Sequence, residues 1–484
     1  MFSFGVARKL RKIVGRDAVL DRPEDLMLYE YDGSLARGEP RYVIFPQTTE
    51  QVAEIVKLAG REALAIVPRG AGTGLSGGAI ARTGGIILSF ARMNKILEID
   101  IPNLRATVQP GLVNLELSNA LAPHGFYFAP DPSSQKACTI GGNVAENSGG
   151  PHTLANGVTV NHVTGLEVVL PSGRVVQLGS KAASAAGYDL TGFFVGSEGT
   201  LGIATAITVK ITHLPEAVAT LLAIYNDVQQ AANTVVALTS EGITPTAIEM
   251  LDGWTLRAVE AAVHAGYPLD SAAVLLIELE GLREAVEEHA ETVSELCRRC
   301  GAREVRRARD EAERQLLWKG RKTAFGAIGR ISPSYYVQDG VIPRTRVPET
   351  LRKIEEVAKK YSLTIGNIFH AGDGNLHPLI LFDARDPEQT QRTLDAGREI
   401  LDFCIGVGGS ITGEHGVGME KQDLMCSLFS ESEREVMKRL RECFNPDSLL
   451  NPQKILPSPR LCREAIAPNH ASLEAPVASA PELR

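Results

Sequence analysis

Hydrophobic and polar residues follow two different patterns in two parts of the chain. From about residue 41 to residue 213, apolar and β-branched residues occur in short runs that turn residues separate, and this pattern predicts β-strands. The tripeptide Pro171-Ser172-Gly173 between two of these runs predicts a hairpin. The predicted strands cover residues 41–46, 63–67, 85–89, 105–109, 165–170, 174–178 and 203–211.

After Pro215 the pattern becomes mainly helical. Apolar residues recur at helical spacing over residues 226–238, 280–299 and 347–361, while 273–277 and 379–382 are typical of single strands. An earlier helix is predicted to begin near Thr48, whose hydroxyl can cap the first turn. The 484 residues are too many for one ordinary core, so the sequence predicts an α+β protein of two or three domains.

The predicted boundaries follow these changes of pattern. The predicted units are a helical lead-in (1–40), a first α+β domain (41–215), a second α+β domain (216–440), and a tail (458–484) that is rich in Ala, Pro, Ser and Glu. Such a composition predicts disorder in the tail.

Composition and charge restrict the possible partners and location. The formal net charge is −8 and no basic tract is present, which argues against nucleic-acid binding. The seven cysteines are scattered, as in a reducing compartment, and do not suggest a disulfide framework. No apolar run is long enough to span a membrane. We therefore expect the chain in the cytoplasm, or at the inner face of the cell membrane through partners.

Residues 68–79 form a glycine-rich loop between two apolar strands. Successive backbone N–H groups in such a loop can cradle a pyrophosphate, and hydroxyl side chains add further donors. The loop is neither a dinucleotide fingerprint, since no helix is predicted directly after it, nor a P-loop, since it has no Gly-Lys-Ser/Thr. The alternative is a mobile surface loop. The predicted phosphate-binding residues are Pro68, Arg69, Gly70, Gly72, Thr73, Gly74, Leu75, Ser76 and Gly77.

Two further clusters of glycine and small residues follow, at residues 129–150 and 196–202. Each could be a set of tight turns. Three such clusters within one α+β region instead favour the walls around one long cofactor.

The arrangement of the three clusters resembles the vanillyl-alcohol oxidase/p-cresol methylhydroxylase (PCMH) family of flavoproteins. The resemblance implies a two-subdomain PCMH-type FAD-binding domain over 41–215, a ferredoxin-like α+β substrate or cap domain over 216–440, and a segment at 441–457 that returns to the flavin. One departure is Asn156, where an aromatic residue was expected. The further cofactor-binding residues that it implies are Pro132, Thr139, Gly142, Asn143, Ser148, Gly149, Glu198, Gly199, Gly202, Ile203 and Asn451. Some relatives attach FAD through a histidine of the first loop; this loop has none, so we expect non-covalent FAD.

Histidines and a glutamate lie beside glycines in two loop-like segments of the second domain. His370, His377 and Glu414 provide nitrogen and oxygen ligands for a divalent metal, and zinc, manganese and iron all remain possible. The alternative is a structural polar cluster. His415 is the candidate base that takes a proton from a substrate hydroxyl. Arg321 is the candidate anchor for a substrate carboxylate, unless it only solvates a helix face.

These motifs, together with residues 318–344 and 368–382, resemble the D-2-hydroxy-acid dehydrogenase branch of the family. The resemblance implies oxidation of glycolate, and of D-lactate, to the 2-oxo acid. It also implies a complex with a second flavin-type subunit and an iron–sulfur subunit. The apolar side chains of Phe325, Val337 and Leu379 at the expected pocket favour a short monocarboxylate. The alternatives are a stand-alone D-lactate dehydrogenase and a non-catalytic flavin subunit.

Overall fold

Helices and strands alternate along the described residues, which confirms the predicted α+β class. The computed structural model describes residues 3–82, 84–182 and 187–466. The α-helices are α1 (Ser3–Val14), α2 (Pro23–Leu26), α3 (Thr49–Arg61), α4 (Asn114–Leu121), α5 (Ile140–Glu146), α6 (Thr153–Asn156), α7 (Leu190–Phe194), α8 (Val228–Ser240), α9 (Gly253–Val263), α10 (Arg283–Arg299), α11 (Glu311–Lys322), α12 (Ala324–Ile328), α13 (Val347–Tyr361), α14 (Pro387–Gly406), α15 (Met425–Leu428), α16 (Glu431–Phe444) and α17 (Pro459–Ile466).

The strands form three main sheets and one short pair. They are β1 (Val19–Leu20), β2 (Tyr42–Ile44), β3 (Ile66–Arg69), β4 (Ile86–Ser89), β5 (Ile96–Asp100), β6 (Arg105–Val108), β7 (Phe126–Tyr127), β8 (Val163–Val169), β9 (Val175–Gly179), β10 (Ile203–Lys210), β11 (Thr212–His213), β12 (Ala217–Tyr225), β13 (Ala247–Asp252), β14 (Ala273–Gly281), β15 (Glu304–Arg307), β16 (Ser334–Val337), β17 (Gly340–Val341), β18 (Thr364–His370), β19 (Asn375–Leu376) and β20 (Pro378–Phe382).

The first sheet has the order β1-β2-β4-β3, in which β2, β4 and β3 run parallel and β1 is antiparallel to β2. Helix α3 connects β2 to β3 and begins as predicted, since the Thr48 side chain accepts a hydrogen bond from the Gln51 N–H. Its apolar face, with Val52, Ile55 and Val56, is buried against the sheet in one hydrophobic core. The glycine loop follows β3 and therefore lies at the edge of the sheet where the three parallel strands have their carboxyl ends.

The second sheet, β5-β6-β10-β8-β9, is antiparallel throughout. Strands β8 and β9 form the hairpin that Pro171-Ser172-Gly173 predicts. Along β10, residues alternate between buried and partly exposed, as a strand with one face on a core requires. The buried face covers a core that also contains helices α4 and α5.

The third sheet has nine strands within the described residues and runs from β12 to β20 in sequence. Its central strands β12, β14 and β13 are antiparallel and nearly fully buried, with helices α8, α10 and α13 packed in the same core. Strand β18 pairs with β13 and carries His370 at its end. The sheet therefore brings Glu249 of β13 directly opposite His370.

Three expectations about the ends of elements and the chain are wrong. The lead-in is not only helical, because β1 pairs with β2 and extends the first sheet. The predicted helix at 280–299 begins at Arg283, since Glu280 belongs to β14. Part of the predicted disordered tail is helix α17, and Cys462 on it forms a disulfide with Cys426, so these two cysteines are not free thiols. The remainder of the tail, 467–484, lies outside the described residues.

None of the helices in the described ranges is both long and apolar enough to cross a membrane.

Candidate functional site

A cavity of about 500 Å³ lies between the first two sheets and the third sheet. The N-terminal part contributes the glycine loop and segments near residues 132–148 and 198–204 to its walls. The C-terminal part contributes His370, His377, Glu414 and His415. The two groups of residues that the sequence singled out thus meet in one space.

The glycine loop needs its glycines because it packs tightly. Gly72 and Gly77 have φ values of 72° and 79°, in the left-handed region. A Cβ on Gly70 would clash with the Thr139 hydroxyl. Because the loop backbone is bare, its N–H groups can lie close to a ligand.

Most of the predicted cofactor-binding residues line this cavity; Ser76, Gly77 and Gly149 do not. Ser76 is fully buried, and its hydroxyl has no hydrogen-bond partner within the described residues. Asn451, at the predicted return segment, donates from Nδ2 to the carbonyl oxygens of Gly78 (2.9 Å) and Glu198 (2.6 Å). It therefore ties two of the glycine segments together. Asn156, which replaces the expected aromatic residue, ends α6 and does not line the cavity.

The cavity also has lining residues that sequence reasoning missed. Most of them lie outside the glycine clusters, on separate elements, whereas Cys138 and Glu146 lie within the cluster at 129–150; no local pattern marks any of them. Among them are Gly33, Phe90, Pro110, Cys138, Glu146, Phe194, Lys322 and Tyr335.

His370, His377 and Glu414 converge on one point. Glu414 Oε1 lies 3.3 Å from His370 Nε2 and 3.1 Å from His377 Nε2. Glu414 Oε2 is buried and has no hydrogen-bond partner among the described residues. Burial would raise the pKa of Glu414, but the charge of His370 and the hydrogen bonds from both histidines keep it well below its usual value. One ligand atom from each residue lies within 4.8 Å of the others. This donor set fits a divalent metal.

Glu249, which the sequence did not reveal, holds His370 from behind. Its Oε1 lies 2.7 Å from His370 Nδ1, and its Oε2 accepts from Arg321 Nε at 2.5 Å. All three side chains are almost completely buried. Burial would lower the pKa of His370, but Glu249 and Glu414 raise it well above its usual value. A carboxylate behind a histidine that leaves Nε2 free is the usual support for a metal-binding imidazole.

The loop that carries Glu414 and His415 is fixed by Asp339. The buried Asp339 Oδ2 accepts from the backbone N–H groups of Gly413 (3.1 Å), Glu414 (3.3 Å) and His415 (2.9 Å), and from the Thr412 hydroxyl (2.5 Å). Burial would raise the pKa of Asp339, but the electrostatic influence of His415, Lys421 and His377 holds it well below its usual value. The Asp339 carboxylate thus fixes the backbone of residues 412–415.

His415 stacks on His377, with ring centroids 5.0 Å apart and an interplanar angle of 6°. Burial and the neighbouring His377 lower the pKa of His415 to about 4, although Asp339 opposes them. His415 is therefore neutral near pH 7 and can accept a proton.

A second carboxylate holds the same loop from the other side. Glu198 accepts from the N–H groups of Val417 (2.7 Å) and Gly418 (2.8 Å). Its φ of 51° is unusual for a residue other than glycine, and burial raises its pKa to about 7. The sequence predicts that Glu198 binds the cofactor, whereas its carboxylate binds this loop; the residue still lines the cavity.

Three residues of the expected substrate pocket differ from their predicted places. Arg321 is 1% exposed, so it does not merely solvate a helix face, yet it does not line the cavity. Val337 and Leu379 face each other across strands β16 and β20 inside a hydrophobic core. Phe325 does line the cavity, and Tyr335 stands beside it with a ring-centroid distance of 6.3 Å.

A buried ionic network joins the N-terminal and C-terminal parts near the cavity. His152 Nδ1 lies 2.9 Å from Asp131, and its Nε2 lies 3.2 Å from Glu278. Glu278 also accepts from Arg314 at 2.8 Å and from the Trp318 indole at 2.5 Å. Burial would lower the pKa of His152, but the two carboxylates raise it to about 10. His152 is therefore charged at neutral pH.

Replacing His152 with glutamine should destabilise the protein by about 1–3 kcal/mol near pH 6.5, since it removes the cation that Asp131 and Glu278 share and leaves them only Lys322 and Arg314 within the described residues. The folded-state pKa of His152 is raised, so this stabilisation is fully present below the unfolded value near 6.5 and lost as pH rises through about 10. The stability gap between wild type and variant should thus shrink across this range. Urea unfolding at several pH values measures the gap, and the exposed His124→Gln is the control. A gap that stays constant with pH would contradict the charged state of His152.

Comparison with known protein families gives two matches. The FAD binding domain family matches residues 40–179. The family described as FAD linked oxidases, C-terminal domain, matches residues 214–455. Together the two matched ranges include most of the cavity lining.

Individual proteins are similar along nearly the whole chain. Glycolate oxidase subunit GlcD of Escherichia coli (strain K12) is 46% identical over 97% of this chain and 95% of its own length. The same-named subunit of Bacillus subtilis (strain 168) is 40% identical over 94% of this chain and 97% of its own length. The mitochondrial D-lactate dehydrogenase [cytochrome] of Arabidopsis thaliana is 30% identical over 91% of this chain and 79% of its own length.

A solved structure of p-cresol methylhydroxylase with substrate bound shares the fold. Its TM-score is 0.79 at 20% identity, and the match covers 94% of this chain and 96% of that one.

Proposed function

The chain belongs to the family of FAD-linked oxidases, and on this premise we propose that it oxidises glycolate and D-lactate to the corresponding 2-oxo acids. Two relatives named as glycolate oxidase subunits, at 46% and 40% identity, support glycolate as a substrate. A relative named as a D-lactate dehydrogenase, at 30% identity, supports D-lactate.

The observation that carries this proposal is the meeting of His370, His377, Glu414 and His415 with the FAD-binding segments in one cavity. A flavin subunit without its own chemistry would not need this set of residues. Their arrangement, with a neutral imidazole beside three converging ligand atoms, suits removal of the proton from a substrate hydroxyl oxygen while a hydride leaves the carbon that bears this hydroxyl.

The residues present fit both groups that the proposal requires. The glycine loop that lines the cavity, where side chains would clash with the neighbouring segments, suits FAD, whose flavin accepts the hydride when bound. His370, His377 and Glu414 would hold a divalent metal, and Glu414 Oε2, which has no hydrogen-bond partner among the described residues, supports this. A divalent cation held there would lower the pKa of the substrate hydroxyl. Zinc, manganese and iron are all compatible with the donor set.

The side chains of this protein have the following proposed roles. His415 accepts the hydroxyl proton. Arg321 does not line the cavity, but its buried Nη1 has no partner within the described part of the chain, and we propose that this group anchors the substrate carboxylate from behind the cavity wall. Its Nε is committed to Glu249, so Arg321 also positions His370.

We further propose that the chain works as one subunit of a complex. The two relatives at 46% and 40% identity are named as subunits, which supports a multi-subunit assembly. A second flavin-type subunit and an iron–sulfur subunit are the proposed partners, and they would bring the chain to the inner face of the cell membrane.

The test is an anaerobic titration of the purified chain with glycolate, D-lactate, L-lactate and D-2-hydroxyglutarate while flavin absorbance is recorded. We expect bleaching by glycolate and D-lactate without any partner. Bleaching by D-lactate alone would favour a stand-alone D-lactate dehydrogenase. No bleaching by any of the four acids would favour a non-catalytic flavin subunit.

FAD is expected to be bound non-covalently, because the loop 68–79 contains no histidine or cysteine. Acid precipitation should leave the yellow colour in the supernatant. Cys138 lines the cavity, but burial raises the pKa of its thiol, which disfavours attack on the flavin. Colour that stays in the pellet would contradict the prediction, and Cys138→Ser would then show whether this thiol is responsible.

A further inference from the structure

We infer that Lys322 binds the carboxylate of the substrate as a second cation beside Arg321, and that Asp131 holds its ammonium group at the cavity wall. This inference rests on the proposed oxidation of a 2-hydroxy acid, whose carboxylate must be bound. From the sequence, Arg321 alone is predicted to bind this carboxylate.

The positions of charges around the cavity favour Lys322. Among the described lining residues, the side chains of lysine and arginine type are Arg69 and Lys322. Arg69 lies in the glycine loop, where its Nη1 donates to the Ala79 carbonyl and its guanidinium covers the Tyr29 ring. Arg69 therefore belongs to the loop that is predicted to bind the pyrophosphate. Lys322 therefore provides the lining cation that the C-terminal part contributes, on the same side as the histidines.

Arg321 and Lys322 are neighbours in the last turn of α11 but have different surroundings. Arg321 is 1% exposed and is neutralised by the fully buried Glu249. The Lys322 side chain is 26% exposed and lines the cavity. A soluble anion that enters the cavity meets Lys322 directly. The Nη1 group of Arg321, which has no partner among the described residues, is buried in a residue that does not line the cavity.

The ammonium group of Lys322 is held in place, but not all of its N–H donors are used. Its Nζ donates to Asp131 Oδ2 at 3.0 Å, and it lies 5.7 Å from the centre of the Trp318 ring. In the described chain Asp131 is the hydrogen-bond partner of Nζ, so two of its three N–H donors remain for a ligand. Asp131 in turn is shared with His152 at 2.9 Å, and so it does not depend on Lys322 for its counter-charge.

The hydrogen bond between Lys322 and Asp131 also joins the two parts of the protein. Asp131 immediately precedes Pro132, Ser133 and Ser134, which line the cavity on the FAD-binding side. Lys322 comes from α11 of the other part and is followed by the lining residue Phe325. The ammonium group is thus held where the two walls meet, in the same cavity as the segments predicted to bind FAD and as His415.

The experiment compares Lys322→Gln, Lys322→Met and Lys322→Arg in the flavin-loaded chain. Oxalate, a non-oxidisable dicarboxylate, is titrated anaerobically and its Kd is read from the perturbed flavin spectrum. We expect a roughly 10- to 100-fold higher Kd for the glutamine and methionine variants, because a hydrogen bond to a charged group is lost. The arginine variant should stay within a few-fold of wild type. Lys319→Gln, an exposed residue on the same helix, is the matched control.

Two further measurements separate a binding role from a structural one. The KM for glycolate should rise with Lys322→Gln, while the KM for the neutral analogue glycolamide should not. Flavin content and Tm show whether the variants fold, and Lys322→Met serves if the glutamine variant does not. Oxalate affinity that is unchanged in a folded, uncharged variant overturns the inference. A wild-type chain that responds to no 2-hydroxy acid would instead overturn the proposed function, regardless of Lys322.

Discussion

A His377→Ala variant is expected to lose its divalent metal and at least roughly 100-fold in kcat, yet to keep FAD. His377 Nε2 is one of the ligand atoms that converge on Glu414, at 3.1 Å. Removing it leaves two protein ligands, too few for a stable site, and a metal that polarises the substrate contributes several kcal/mol to the transition state. FAD should remain, because the glycine loop and the residues near 132–148 come from another part of the chain.

The measurements are metal content by elemental analysis, flavin content by absorbance, and turnover with glycolate. His289→Ala, an exposed histidine on α10, is the control and should match wild type in all three. Full activity of a chelated, metal-free wild-type sample would show that the reaction needs no metal at His370, His377 and Glu414. In that case the cluster is a structural one, and His377→Ala should lower Tm, because the buried Glu414 would lose a hydrogen-bond donor.

The fold could be predicted from sequence to the extent that hydrophobic pattern controls it. The strands of the second sheet have one buried face, and their alternation is visible in the residues of β10. Helix α13 was predicted with its observed bounds because its apolar stripe is regular, from Val347 to Val357, and a proline stands in its first turn. The strand β1 was missed, since two residues are too short for any periodicity, and it is held by its pairing with Val43 and Ile44.

The candidate site could be predicted where chemistry and glycine occur together in short segments. His370, His377, Glu414 and His415 all stand beside glycines, and all line the cavity. The family comparison confirms the prediction of FAD. The residues that support this site could not be found in the same way. Glu249 belongs to an apolar buried strand, and only the pairing of β13 with β18 places it opposite His370.

The loop of residues 412–418 connects the two halves of the site. Asp339, on the C-terminal side, accepts from its first four residues, and Glu198, on the FAD-binding side, accepts from Val417 and Gly418. Because both carboxylates are buried, neither contact is weakened by water. His415 is therefore held at a fixed place relative to the residues that line the flavin cavity. This is the condition for efficient proton removal in step with hydride loss.

A His415→Ala variant is expected to reduce its flavin about 10²- to 10⁴-fold more slowly than wild type, the usual cost of a lost general base. Its metal and FAD should stay bound, since the His415 ring stacks on His377 without completing the set His370, His377 and Glu414. Anaerobic stopped-flow reduction by D-lactate gives the rate, and elemental analysis gives the metal content. His415→Gln keeps a hydrogen-bonding group but no base, so it should be as slow as the alanine variant.

The same arrangement predicts the hand of the substrate. The anchored carboxylate, the bound hydroxyl and the flavin would fix three points, and only one enantiomer then directs its C2 hydrogen to the flavin. The D enantiomer is the one that the D-lactate dehydrogenase relatives suggest. Wild type should therefore bleach with D-lactate far faster than with L-lactate, and His415→Ala should slow the D reaction toward the L rate. Equal rates with both enantiomers, or an unimpaired His415→Ala variant, would show that His415 is not the base, because a base held by Asp339 at one face of the substrate cannot serve both hands equally.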